Sequence, residues 1–154
     1  MQITLEIGAF TAALFAIIVA FFEYKQLKGR RKSELFSELN KRYLADEKNI
    51  QPVIRYLSHL HPNAPVPEGY QIELFLRFFE EIDVYLMEEA LDEETTYHLF
   101  AYYCLEIFKT EEYASLLDII NFRKEEWPLL DDFVMRMKDI EHKLNNKNNG
   151  TNQM

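Results

Sequence analysis

Residues Ile3 to Phe22, ITLEIGAFTAALFAIIVAFF, constrain this chain more than any other stretch. Twenty helical residues rise about 30 Å, the thickness of the hydrocarbon core of a bilayer. Glu6 is the single charge inside, close enough to one end to reach the headgroup region. Lys25, Lys28, Arg30, Arg31 and Lys32 follow at once, whereas no Lys or Arg precedes the stretch. The positive-inside tendency then predicts a single-pass anchor over residues 1–22 with the bulk of the chain cytoplasmic. The five bases are expected to face anionic lipid headgroups of that bilayer. A cleaved signal peptide would carry its bases before the apolar run and a small-x-small site after it, and neither pattern is found.

The same stretch has an internal repeat. Gly8, Ala12, Ala16 and Ala20 recur every four residues, with Phe10, Leu14, Ile17, Ile18 and Phe21 filling much of the rest. In lipid no hydrophobic drive joins helices, so close backbone approach along a stripe of small residues favours association. We expect a homo-oligomer packed through this stripe; the alternative is that alanine is simply common in spans.

Beyond the anchor, helical periodicity and few turn residues (four Gly and five Pro in 154 residues) predict an all-α fold. Residues 23–44 read as a juxtamembrane helix continuing into the bundle, residues 45–145 as the helical domain, and residues 146–154 as a disordered polar tail. Within the domain one helix is expected to about Leu60, burying Ile50, Val53, Ile54 and Leu57. The strongest runs from Tyr70 to about Ala90, with Ile72, Phe75, Leu76, Phe79, Ile82 and Leu86 on one face. Asp83 falls inside that face, about 20° from Ile72 on a helical wheel, and must find a donor or shift its pKa upward. Structural pairing with a Tyr or Arg is expected, the alternative being a functional acid. Asp92 is placed to cap a helix from Glu93 to Lys109 that buries Tyr97, Phe100, Ala101, Cys104 and Phe108. A last helix opens at Trp127-Pro128 with Leu130, Phe133, Val134, Met137, Ile140 and Leu144 as its stripe.

The net charge of -9 is unevenly spread. Bases outnumber acids from Lys25 to Arg55, whereas acids dominate from Glu68 to Glu106, where Arg77 stands alone among Lys and Arg. An acidic domain does not neutralise phosphates well, so no direct nucleic-acid binding is expected. Charge of opposite sign on two parts of one chain suits head-to-tail contact between subunits and, equally, ordinary pairing within the chain. The single Cys104 excludes an internal disulfide.

Most catalytic signatures are missing: there is no phosphate-binding glycine loop, no Cys or His pair at zinc spacing and no nucleophile elbow. No metal, cofactor or catalytic residue is therefore assigned. The one segment with a chemical flavour is Arg55-Tyr56-Leu57-Ser58-His59-Leu60-His61. On a continuous helix Arg55 and His59 share a polar side, and Pro62 frees His61 to turn. Arginine to hold a phosphate and histidine to move a proton are what metal-free RNA cleavage needs. The plainer reading is a helix C-terminus whose histidines favour its dipole.

Arg55-x5-His61 resembles the R-x(4-6)-H pattern of HEPN-type helical domains. One N-terminal span followed by a divergent helical domain of that kind resembles the small membrane accessory protein of type VI-B CRISPR systems. That resemblance implies a HEPN-like bundle in the bacterial inner membrane that assembles into a pore-like ring. It further implies membrane depolarisation that strengthens antiviral defence by an RNA-guided CRISPR nuclease. Phe78-Phe79-Glu80-Glu81-Ile82, Leu91-Asp92-Glu93-Glu94 and Leu99-Phe100-Ala101-Tyr102-Tyr103 also resemble a broader, uncharacterised bacterial family of single-span helical proteins. Tyr56 stands where active HEPN ribonucleases carry a polar residue, so Arg55 and His61 read as structural or gating elements ahead of a working nuclease. The alternatives are a tethered ribonuclease using both residues across subunits, and a non-catalytic membrane-tethered interaction module.

Overall fold

The computed structural model describes residues 2–58 and 63–151, with side chains described over 19–58 and 63–147. All secondary structure among the described residues is helical. Helix α1 covers Gln2–Ala45, α2 Ile50–Leu57, α3 Gly69–Met87, α4 Glu93–Thr96, α5 Tyr102–Lys109, α6 Glu111–Ile119 and α7 Pro128–Thr151. A π-turn at Tyr97–Ala101 joins α4 to α5, and a short 3-10 turn at Lys124–Glu126 precedes α7. The chain divides into two compact units, Met1–Ser37 and Glu38–Met154.

The first unit is α1 up to Ser37. Its described side chains include exposed Val19, Phe21, Phe22, Tyr24 and Leu27, followed by exposed Lys28, Arg30 and Arg31 and a half-buried Lys32. Among the described residues no helix is long and apolar enough to cross a membrane. The expected span lies in α1, whose side chains are described only from Val19 on, so the packing of the small-residue stripe at Gly8, Ala12 and Ala16 is outside what is described, while Ala20 is exposed.

The second unit is built around α3. Ile72, Phe75, Leu76, Phe79 and Ile82 are fully buried and Leu86 nearly so, the face expected from their spacing. α7 packs on α3 most extensively, contributing buried Leu130, Phe133, Val134, Met137 and Ile140. Phe79 meets the rings of Phe75 at 5.0 Å, Phe133 at 5.3 Å, Phe78 at 5.4 Å and Tyr43 at 6.3 Å. Arg42 covers the same cluster, its guanidinium 4.9 Å from the Phe78 ring while Nη2 donates to Glu81 Oε2 at 2.5 Å. Such a cation over an aromatic face hides apolar surface without burying the charge.

Local chemistry places the ends. Asp92 Oδ1 accepts from the Thr95 backbone N–H at 2.9 Å and caps α4 as its position predicts. Before α3, the Glu68 N–H donates to Gln71 Oε1 at 2.9 Å, and Gln71 Nε2 donates to the Lys48 carbonyl at 2.8 Å. Glu89 and Asn121 lie just beyond α3 and α6 with φ of 54° and 50°. These left-handed residues stop the helices where glycine would be the usual choice.

The helix expected from Glu93 to Lys109 is interrupted by the π-turn, and Tyr97 and Phe108 are half-buried instead of buried. Two further elements differ from the sequence reading. α2 ends at Leu57 instead of running to Leu60, with Ser58 extended at φ -86° and ψ 119°. The Tyr113 hydroxyl, from α6, donates to the Leu57 carbonyl at 3.2 Å and satisfies an acceptor that another turn of helix would have used. At the other end of the chain, α7 continues to Thr151, past Leu144 where its apolar stripe stops and into the stretch expected to lack structure. Asn146 on that polar extension lies 3.2 Å from His142, four residues earlier, through Nδ2 and Nδ1.

Candidate functional site

Arg55 sits in the last turn of α2 with its side chain exposed, and its guanidinium pairs with the Glu47 carboxylate from the turn before the helix. The following Tyr56 packs its ring against Tyr113, with the centroids 6.3 Å apart. His59 and His61 lie outside the described residues, as does Pro62. The shared helical side expected for Arg55 and His59 needs α2 to continue beyond Leu57, and the described helix stops there. Arg55 is thus engaged in an exposed ion pair, worth about 0–1 kcal/mol in such settings.

The basic run is a more distinct surface. Lys25, Lys28, Arg30 and Arg31 are exposed on α1 immediately after Phe21, Phe22 and Tyr24, which are themselves 57%, 62% and 63% exposed. Lys25 Nζ lies 5.5 Å from the centre of the Phe21 ring, so one cation leans back over the aromatic girdle. Aromatic rings bordering cations form the pattern seen where a helix meets the membrane–water interface.

A second group gathers three helices around one guanidinium. Asp83 is fully buried, and its Oδ1 accepts from Arg136 Nε at 3.2 Å. Arg136 Nη1 donates to Glu93 Oε1 at 3.1 Å, so α3, α4 and α7 meet there. The expected arginine partner of Asp83 is therefore present. The sequence reading did not single out Arg136, which lies 53 residues along the chain from Asp83.

A third group went unread in the sequence. Around the π-turn, Tyr97, His98, Tyr102, Glu106, Lys109 and Glu141 line a cleft of about 250 Å3. Lys109 Nζ lies 2.6 Å from both Glu141 oxygens, and the Tyr97 hydroxyl donates to Glu141 Oε1 at 3.3 Å. Burial, assisted by the Glu141 charge, raises the Tyr97 pKa, so the phenol remains a donor. The signal for this cleft is a slip in spacing: buried Thr96, Phe100, Ala101, Cys104 and Leu105 run one residue longer than a plain helical face.

Cys104 is fully buried, and burial pushes its thiol far up, so it is held as the neutral thiol. Burial likewise raises the Tyr43 phenol. Comparison with protein-family models, with curated proteins and with solved structures finds no match.

Proposed function

We propose that this chain is a membrane-tethered helical module that works by assembling with copies of itself. The observation that carries the reading is the surface of α1 from Phe21 to Arg31, where exposed aromatic rings pass directly into exposed cations. Together with the apolar sequence before it, that surface fits a helix leaving a bilayer through an anionic interface. The exposed Arg55–Glu47 pair supports a structural or gating role for Arg55 over phosphate capture.

Within this reading, the resemblance to type VI-B accessory proteins gives the finer proposal. The protein would be a single-pass antiviral defence component of the bacterial inner membrane, with its helical domain cytoplasmic. Its spans would pack through Gly8, Ala12, Ala16 and Ala20 into a pore-like ring that depolarises the membrane and reinforces RNA-guided interference. A span with Thr4, Glu6 and Thr11 as its polar side chains would line a largely hydrophobic pore, closed by dewetting until widened. The second reading, a ribonuclease assembled across subunits, keeps Arg55 and His61 as its catalytic pair.

The test is the mass and shape of the full-length protein in detergent, by light scattering and particle imaging. A closed ring supports the proposal and makes vesicle depolarisation the next assay; a strict monomer ends it. RNA cleavage by wild type, R55A and H61A separates the second reading, which requires cleavage by wild type and its loss in both variants.

A further inference from the structure

The buried carboxylate of Asp83 has an unusual balance of partners. Oδ1 accepts from Arg136 Nε at 3.2 Å, whereas Oδ2 is buried without a hydrogen-bond partner among the described residues. An ionised carboxylate offers about four lone-pair positions, so one donor leaves most of its hydration unreplaced. The cation beside it is shared, because Arg136 also donates to Glu93. The elements packed against Asp83 add further negative charge: Asp132 from α7 and Glu93 from α4 both oppose its ionisation. The neighbouring cleft is mixed, with Asp139 and Lys143 alongside Glu93, Asp132 and Arg136. A proton on Oδ2 would remove the buried charge while Oδ1 keeps its bond from Arg136.

We propose that Asp83 is a proton-binding site and that the junction of α3, α4 and α7 is a latch that tightens in mild acid. This goes beyond the membrane reading and does not depend on it. Burial, opposed by the Arg136 charge and hydrogen bond, holds the Asp83 pKa above the usual carboxylate range. The folded chain then binds more protons than the unfolded one between the unfolded and folded pKa values. Stability rises as pH falls through that interval, and the gain is lost as pH rises through the folded value. Glu80, one turn earlier on α3, shifts in the same direction through its own burial, so the informative quantity is a difference between variants.

The experiment compares urea unfolding of full-length wild type and D83N in detergent from about pH 7.5 down to about pH 4.5. Wild type should gain on D83N, by up to about tenfold in the folding constant per pH unit inside the interval. Parallel profiles, or a wild type that loses ground in acid, overturn the proposal. Should D83N fail to fold, the carbon-13 carboxyl resonance of Asp83 in wild type decides alone: a midpoint above the ordinary aspartate range supports the latch, and one within or below it refutes it. E93Q removes one opposing charge and leaves Arg136 to Asp83, so it should move that midpoint down; a carboxylate that only fills space would not respond.

Discussion

Truncating Phe79 to alanine tests whether α3 is the centre of the bundle. The side chain is fully buried and touches four other aromatic rings within 6.3 Å. Phe→Ala in a core costs about 3–5 kcal/mol, and ring pairs add about 0.5–1.5 kcal/mol each beyond area burial. With four rings losing a neighbour, the upper part of the range applies, about 4–5 kcal/mol. A domain of this size has about 5–15 kcal/mol in all, so F79A should lose about a quarter of it or more. The melting temperature should fall by about 15–25 °C. Leu74→Ala on the same helix is the control: Leu74 is 44% exposed and its truncation should stay within about 0.5 kcal/mol. Urea unfolding followed by circular dichroism and by Trp127 fluorescence gives both numbers. An F79A cost below about 1 kcal/mol with an unchanged denaturant slope would refute the reasoning, because the ring cluster would then contribute little packing.

Tyr113→Phe deletes the buried hydroxyl that donates to the Leu57 carbonyl and should cost about 1 kcal/mol, with faster amide exchange at the end of α2 as its local signature. Cys104, buried and held as the thiol, should react with a thiol reagent only through unfolding. In the native protein labelling should slow by a factor on the order of 10³ or more, and prompt labelling would contradict its burial.

The periodic helices were the legible part of this chain. The α3 face and the α7 stripe were open to inspection because a single buried side repeats every three or four residues over several turns. Asp83 was likewise legible, since a carboxylate inside an apolar face needs a partner and Arg136 supplies it. Tertiary contacts hid the rest. The early end of α2 depends on a tyrosine 56 residues away, which local sequence cannot announce. Glu89 and Asn121 end two helices in the left-handed region where a search for glycine finds nothing. An unbroken helix from Glu93 to Lys109 was expected to bury Tyr97, but Thr96 is fully buried and Tyr97 is half-buried because the π-turn shifts the phase. For the Arg55 motif the sequence offered residue types without partners, and Glu47 was the missing one.

That π-turn has a consequence for how the chain tolerates changes of length. Between Thr96 and Phe100 the helix stores one surplus residue, and both His98 and Leu99 at that point are exposed. Deleting either would leave buried positions spaced by three, four, seven and eight, the rhythm of an unbroken α-helix. The flanking segments could then keep their buried faces while the wide turn closes. The same deletion inside α3 would rotate every later side chain by about 100° and take its core face out of register. By its spacing this stretch is an expansion joint, where losing a residue would restore an ordinary helical rhythm instead of breaking one.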